Sequence, residues 1–331
     1  ENETAQLVLA LTDKYAALIA NPPYMGRGNM NSTLTAYLDK NYPIAKQDLF
    51  ATFMQMMIER TQDKGRCAFI TMESWMFLSS FEKLRHYIID NYYISSLGHF
   101  GWHIIGIAFG TAMTVIEKNK DYGRIGEYSY LTIDDIDRSK NVPFVFPKKD
   151  NGRFAHVSQQ NFEKIPGCPI GYWVSEKMIK AFDNPTIREI TISDGQTKTG
   201  DNNKFLREFW EISSFKVGKD KKWIFYAKGG GFRRWYGNLT TTINWSEEAR
   251  GFYRKDKIAR ILPEYLWWKR GITWSYICSA IPSFRILPEQ AIFDVGGSSV
   301  FFKDENDINN VLAFLNTGLT YYILKLFNPT I

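Results

Sequence analysis

Ala16-Ala17-Leu18-Ile19-Ala20-Asn21-Pro22-Pro23-Tyr24 is the stretch on which the fold turns. Its apolar run predicts a buried strand. Two consecutive prolines, which lack a backbone N–H and fix φ, end that strand abruptly. Asn21 therefore stands at the carboxyl end of a strand, the edge where open α/β sheets hold their ligands. Working outward, residues 1–15 predict a helix that leads into the strand. After Tyr24, Met25-Gly26-Arg27-Gly28-Asn29-Met30-Asn31 predicts a flexible polar loop able to close over a substrate. Residues 48–60 carry Leu49, Phe50, Phe53, Met56 and Met57 at helical spacing, with Lys64-Gly65 as the stop. The two methionines are expected to pack in the core. Cys67-Ala68-Phe69-Ile70-Thr71-Met72 predicts a second buried strand, residues 81–92 an amphipathic helix, and residues 94–100 and 110–117 two further strands. Helix and strand alternate until that last pair, where only glycine-rich turns intervene and a hairpin is expected.

Composition bounds the function. The 331 residues suffice for two domains with separate cores. A hydrophobic fraction of 44% and a charged fraction of 23% are those of a soluble globular chain. Three cysteines far apart in sequence, Cys67, Cys168 and Cys278, make neither a disulfide framework nor a zinc site, so a reducing cytoplasm is expected. No signal peptide, transmembrane run or lipidation motif is seen, and no membrane partner is expected. A net charge of +6 and a pI near 9.0 suit a polyanionic partner.

Asn21-Pro22-Pro23-Tyr24 resembles the (D/N/S)PP(Y/F/W) motif of amino-methyltransferases, mainly those acting on adenine N6. The chemistry accounts for the residue types. An amine conjugated to a purine is a poor nucleophile. An amide oxygen at Asn21 and the carbonyl of Pro22 would accept its two N–H groups and localise its lone pair. Pro23 helps fix the corner, and Tyr24 offers a face for a flipped-out base. The element order is similar to the second half of a class I methyltransferase sheet, which ends in an antiparallel hairpin. In such enzymes an aromatic near the hairpin holds the other face of the adenine. Phe100, Trp102 and Phe109 are the candidates, with Phe109 the first choice. One departure matters. The glycine-rich cofactor turn of this family precedes the motif, and only twenty residues precede Asn21 here. Gly229-Gly230-Gly231 and Gly296-Gly297 read as turns. The chain is therefore expected to be a fragment that lacks the S-adenosylmethionine half of its site.

Beyond a polar stretch at residues 136–169, expected as a linker, the charge becomes uneven. Residues 198–270 hold 17 Lys/Arg against 8 Asp/Glu, a local excess of +9 in a chain of net +6. Lys219, Lys221, Lys222, Lys228, Arg233 and Arg234 are interleaved with Trp223, Phe225, Tyr226, Phe232, Trp235 and Tyr236. Arg254, Lys255, Lys257 and Arg260 form a second cluster ahead of Trp267-Trp268-Lys269-Arg270. Cations engage phosphates and aromatics stack on bases, so these residues are candidate DNA contacts. Lys198, Lys221, Lys222, Lys228, Arg233, Arg234, Trp235, Arg254 and Lys255 are the principal ones.

Several blocks then share one resemblance. Gly195-Gln196-Thr197-Lys198-Thr199-Gly200-Asp201-Asn202-Asn203, Lys222-Trp223, the run from Lys228 to Asn238, and Asn328-Pro329-Thr330 join residues 21–26 in it. Together they resemble the PglX-type adenine methyltransferases of BREX phage-defence systems, which are akin to type IIG restriction–modification methyltransferases. The resemblance implies an α/β catalytic half-domain at residues 1–135 and an α+β target-recognition domain at 170–331 that continues past the final residue. It implies S-adenosylmethionine as cofactor, double-stranded DNA as substrate, and other defence-system proteins as partners. RNA-adenine and protein-glutamine methyltransferases share the tetrapeptide, and a non-catalytic DNA-binding or inhibitor-docking module is a further alternative. The four histidines make no metal-ligand set, no Gly-X-Ser-X-Gly elbow occurs, and no Glu-X-Lys nuclease motif is present.

Overall fold

The computed structural model describes residues 2–104, 106–119, 123–278 and 281–327. The chain divides into two compact units between Asn184 and Pro185. In the first unit, strands β1 (Tyr15–Ala20), β2 (Thr61–Met72), β3 (Tyr93–Phe100), β4 (Thr111–Glu117) and β5 (Ile125–Leu131) are followed by a short pair, β6 (Ile136–Asp137) and β7 (Val142–Pro143), and by β8 (Phe154–Ser158). Six of them form one sheet in the order β1-β2-β4-β3-β5-β8. β1 runs parallel to β2, and the expected hairpin is present as the antiparallel β3–β4 pair. The carboxyl ends of β1, β2, β3 and β5 and the start of β4 all lie at one edge of this sheet.

Helix packing follows the sequence spacing. α1 (Asn2–Thr12) precedes β1, and α2 (Ser32–Asn41), α3 (Leu49–Arg60) and α4 (Glu82–Asn91) follow it. The Asp48 carboxylate caps α3 by accepting from the N–H of Phe50, and one face of the helix buries Phe50, Met54, Met57 and Ile58. Each fully buried apolar side chain of this kind contributes about 1.5–3 kcal/mol. Of the methionine pair, Met57 is core and Met56 is half-buried.

Four local expectations are corrected. α3 stops at Thr61, where β2 begins. Lys64-Gly65 is an irregularity inside β2, with Lys64 at φ +64 and a register shift against β1. Gly65 is required there, because a Cβ would lie 2.8 Å from the carbonyl oxygen of Ala16. β1 is a sheet edge and not a buried strand, and Ile19 is 86% exposed. The loop after Tyr24 is pinned and not free, as described below. Finally, residues 136–169 are not a linker. β8 pairs with β5, Phe162 is wholly buried, and Ile170 and Tyr172 also enter the first unit's core. The buried Gln159 side chain stitches this segment in. It donates to the carbonyls of Ile89 (2.8 Å) and Tyr92 (2.7 Å) and accepts from the Ile94 N–H (3.0 Å). Those bonds compensate a buried amide that reads as linker polarity in sequence.

The second unit holds β9 (Thr191–Ile192), β10 (Leu206–Glu208), β11 (Trp223–Ala227), β12 (Thr241–Asn244), β13 (Gly271–Trp274), β14 (Phe284–Leu287), β15 (Ala291–Phe293) and β16 (Ser299–Phe302). They form two four-stranded sheets, β10-β12-β11-β15 and β14-β13-β16-β9. Helices Glu247–Lys255 and Asp307–Leu315 pack with them, so the unit is α+β as expected.

Candidate active site

Pro22 is buried at the end of β1, while Asn21 and Pro23 are exposed. The corner therefore presents the Asn21 amide at the carboxyl edge of the sheet. The Tyr24 hydroxyl lies 3.0 Å from the carbonyl oxygen of Ile70 and 3.2 Å from Asn21 Oδ1. It has one hydrogen to donate. Both oxygens are within reach of that hydrogen, and the Asn21 amide oxygen keeps a further lone pair for an outside N–H donor. Burial raises the Tyr24 pKa, so the phenol stays neutral. Its ring meets Phe50 and Phe109 edge-on, with centroids at 6.2 and 5.6 Å, and neither ring stacks parallel against it.

Of the three aromatics read as candidates, the fold brings Phe109 to Tyr24. Phe100 is core, packed with Ile104, Leu131 and Ile136, and Trp102 points to solvent. What seats Phe109 is not legible in the sequence. Glu73 follows β2, and its backbone N–H donates to the carbonyl of Gly110 (3.0 Å). Its carboxylate lies 2.5 Å from His99 Nε2, and His99 Nδ1 lies 3.0 Å from the Tyr172 hydroxyl. In a neutral ring the carboxylate selects Nε2 as donor, and Nδ1 then accepts from Tyr172. Gly110 rests directly on the Glu73 carboxyl: a Cβ there would stand 2.1–2.3 Å from it. Gly110→Ala is expected to destabilise the first unit by about 1–3 kcal/mol, as overpacking does. Thermal melts of Gly110→Ala in the wild type and in a Glu73→Ala background check this. A loss of equal size in both backgrounds would clear Glu73 as the cause.

The loop after Tyr24 is fastened at several points. Asp48 Oδ1 accepts from the Met25 N–H (3.0 Å), the Arg27 N–H donates to the Gln47 carbonyl (2.9 Å), and the Leu49 N–H donates to the Met25 carbonyl (3.1 Å). Asp39 bridges Arg27 (2.7 Å) and Lys46 (2.8 Å), and hydrogen bonds from these two cations hold its pKa down at about 2. A depressed carboxylate pKa stabilises the fold above the unfolded value and loses that contribution as pH falls through the folded one. Amide protection at residues 27–29 is therefore expected to drop as pH falls from about 4 through about 2. Asp39→Asn should give the same loosening at neutral pH, with hydrogen exchange as the measurement.

In the second unit the basic candidates are dispersed. Lys198 and Lys228 line one cavity of about 200 Å³ with Gln196, Thr199, Asn202, Tyr226 and Asp294. Lys228 is paired with Asp294 (3.4 Å) and Arg254 with Glu264 (2.5 Å). Lys221 and Lys222 are exposed before β11, Arg233, Arg234 and Trp235 sit on the loop after it, and Lys255 is exposed at the end of its helix. The interleaved aromatics separate into two kinds. Trp223 and Tyr226 are core, while Phe232, Trp235 and Tyr236 are exposed. Exposed Trp210 and Phe215 belong to no cluster read from the sequence. Asn328-Pro329-Thr330 lies outside the described residues. No group of three metal-ligating side chains occurs among the described residues, and no helix there is long and apolar enough to cross a membrane.

Residues 2–104 match the model of the Eco57I restriction-modification methylase family. Type IIL restriction-modification enzyme MmeI, solved in complex with DNA, shares the fold at a TM-score of 0.54 and 14% identity, covering 89% of this chain and 42% of that one. The Type ISP restriction-modification enzyme LlaGI, as a nuclease-deletion mutant with a DNA substrate mimic, gives 0.50 at 14% identity, over 91% of this chain and 36% of that one. More particularly, the chain is similar over 97% of its length to two adenine-specific methyltransferases. They are PglX of Lacticaseibacillus casei, 36% identical, and BrxX of Escherichia coli, 34% identical. The likeness to PglX-type methyltransferases read from the sequence is borne out. The chain spans 28% and 27% of the lengths of those two relatives.

Proposed function

We propose that this chain is the acceptor-binding and target-recognition portion of a DNA adenine-N6 methyltransferase of a BREX-type or restriction–modification defence system. The observation that carries the reading is the Asn21-Pro22-Pro23-Tyr24 corner at the carboxyl edge of the sheet, with Phe109 against the Tyr24 ring. Asn21 Oδ1 and the Pro22 carbonyl accept the two N–H groups of adenine N6, and Tyr24 stacks on the flipped base. Phe109 supports it from the far side, which requires the two rings to part from their present edge-on contact. Catalysis by these residues consists of orientation and hydrogen bonding.

S-adenosylmethionine would supply the methyl group. The described residues fit the acceptor side of such a site and do not include a glycine-rich turn ahead of β1 that would cradle the cofactor. The open outer edge of β1 and the exposed Leu7, Val8, Leu9 and Ile19 support a reading in which another part of the protein completes the sheet. Double-stranded DNA is the substrate, on the strength of the basic second unit. The test is transfer of labelled methyl groups to duplex DNA, comparing this chain with the protein extended to the length of its relatives. Activity confined to the extended form supports the proposal. Salt-sensitive DNA binding without transfer in either form leaves a recognition module alone.

A further inference from the structure

The loop at residues 229–238 combines exposure with a fastened backbone. Residues 231–236 are all exposed, with Trp235 at 52% and Tyr236 at 66%. The backbone beneath them is held by six hydrogen bonds. Ser275 Oγ donates to the Gly230 carbonyl (2.7 Å), and Asn238 Nδ2 donates to the Gly231 carbonyl (2.7 Å). The Arg233 N–H donates to Ser283 Oγ (3.2 Å). Trp235 bridges to β14, donating to the Phe284 carbonyl (3.0 Å) and accepting from the Ile286 N–H (2.9 Å). The Tyr236 N–H reaches back to the Arg234 carbonyl (2.9 Å), which closes a γ-turn with Trp235 at its centre and φ at +72. That conformation is rare and strained for a bulky residue, and it persists only where the surroundings over-determine it.

The chemistry around the loop selects an anionic ligand with flat faces. No Asp or Glu stands between Asp220 and Glu247. Arg234 lies 5.4 Å over the Phe232 ring, so these two side chains engage each other. No ring among the described residues packs on Trp235 or Tyr236. Below the loop, Arg285 is 1% exposed. It donates to Ser275 Oγ (3.3 Å) and the Ser283 carbonyl (3.4 Å), the two serines that fasten the loop. Its Nε has no acceptor, and no carboxylate pairs with it among the described residues. A buried, uncompensated cation under a loop carrying two exposed arginines makes a positive site for phosphate.

We propose that residues 229–238 form a stacking finger, in which Trp235 packs on an unstacked base of bound DNA while Arg233 and Arg234 hold the flanking phosphates. This rests on the reading of the second unit as DNA-binding, and it adds a base contact that charge alone does not require. Stacking on one base contributes about tenfold to a hundredfold in affinity and tolerates any sequence. The phosphate contacts carry the salt dependence.

The test measures binding of the full chain to a labelled duplex, the same duplex with one abasic site, and its single strand, over a series of salt concentrations. Trp235→Ala and Trp235→Gly are expected to weaken binding to the abasic duplex and single strand about tenfold or more, with the salt slope unchanged. Trp235→Phe should restore most of the affinity, because it returns a flat ring. Arg233→Ala and Arg234→Ala should each lower the salt slope by about one. Glycine occupies a positive φ without strain, so Trp235→Gly serves as the second variant where alanine disturbs folding. The wild-type preference for the abasic duplex surviving in Trp235→Gly would overturn the proposal and leave the loop as a protein-docking face. Unfolding of both variants would also overturn it, making Trp235 a structural residue. A wild-type chain that binds none of the three DNAs would defeat the DNA-binding reading of the unit itself.

Discussion

Asn21→Ala is expected to lower methyl transfer to duplex DNA by about 100- to 1000-fold in the protein extended to the length of its relatives. That is the scale on which one preorganised hydrogen-bonding group at a reacting centre acts. The Asn21 side chain is exposed at the corner, and its bond from the Tyr24 hydroxyl is the longer of the two that hydroxyl reaches. Losing it therefore costs little stability, and the effect should fall on turnover. Melting temperature and DNA affinity are expected to stay close to wild type while kcat collapses. If kcat fell less than tenfold, the amide oxygen would not be orienting the amine and the reading of the corner would fail. Tyr24→Phe provides the contrast. It keeps the ring that stacks and removes only the hydroxyl shared with Ile70, so its loss should be small beside that of Asn21→Ala.

The largest effect on stability is expected at Arg85. This arginine on α4 is 1% exposed, and no carboxylate pairs with it among the described residues. Its guanidinium is satisfied by carbonyls: Nη1 donates to Trp75 and Leu78 (both 2.8 Å), and Nε and Nη2 donate to Gly167 (3.1 and 2.6 Å). Burial pulls its pKa down to about 10, so it stays charged at neutral pH. One side chain thus ties the connection between β2 and α4 to the segment before Ile170. Arg85→Ala leaves the Trp75 and Gly167 carbonyls without these donors, while Leu78 keeps the Phe81 N–H (3.0 Å), and it opens a cavity where the stem lay. The expected cost is about 3–5 kcal/mol, or a fall of about 10 °C in the unfolding of the first unit. Calorimetry resolving the two units would measure it, and a shift below about 2 °C would show that water or relaxation replaces the bonds. Arg85→Lys retains the charge without the fork and should recover only part of the loss.

Much of the first unit is legible in the order and spacing of its residues. The period of residues 48–60 marks α3, the apolar run at residues 67–72 marks β2, and the Pro-Pro corner places Asn21 at a strand end. Each is a local statement, fixed by φ limits or by side-chain period within a few residues. The Asn-Pro-Pro-Tyr corner belongs to that class, which is why the candidate site can be found from sequence.

The interleaved cations and aromatics between Lys219 and Tyr236 are harder to read, because two causes produce one pattern. β11 is an interior strand covered on both faces, so Trp223 and Tyr226 are both buried although they point to opposite sides. In the loop after it the same residue types stand in solvent. Sequence shows the spacing, and only pairing shows which face is covered.

The sequence by itself thus determined the order of the elements, the strand end that carries Asn21 and the local excess of positive charge. Tertiary structure decided the rest: that β1 is an edge, that β8 extends the sheet from within a stretch polar enough to pass for a linker, and that Phe109 rather than Phe100 or Trp102 meets Tyr24. It also assembled Glu73, His99 and Tyr172, and bent Trp235 outward against its own backbone preference. The reason is physical. Period and backbone restriction act along the chain, whereas burial, ring contacts and compensated polar groups depend on residues such as Glu73 and Tyr172 that only folding brings together.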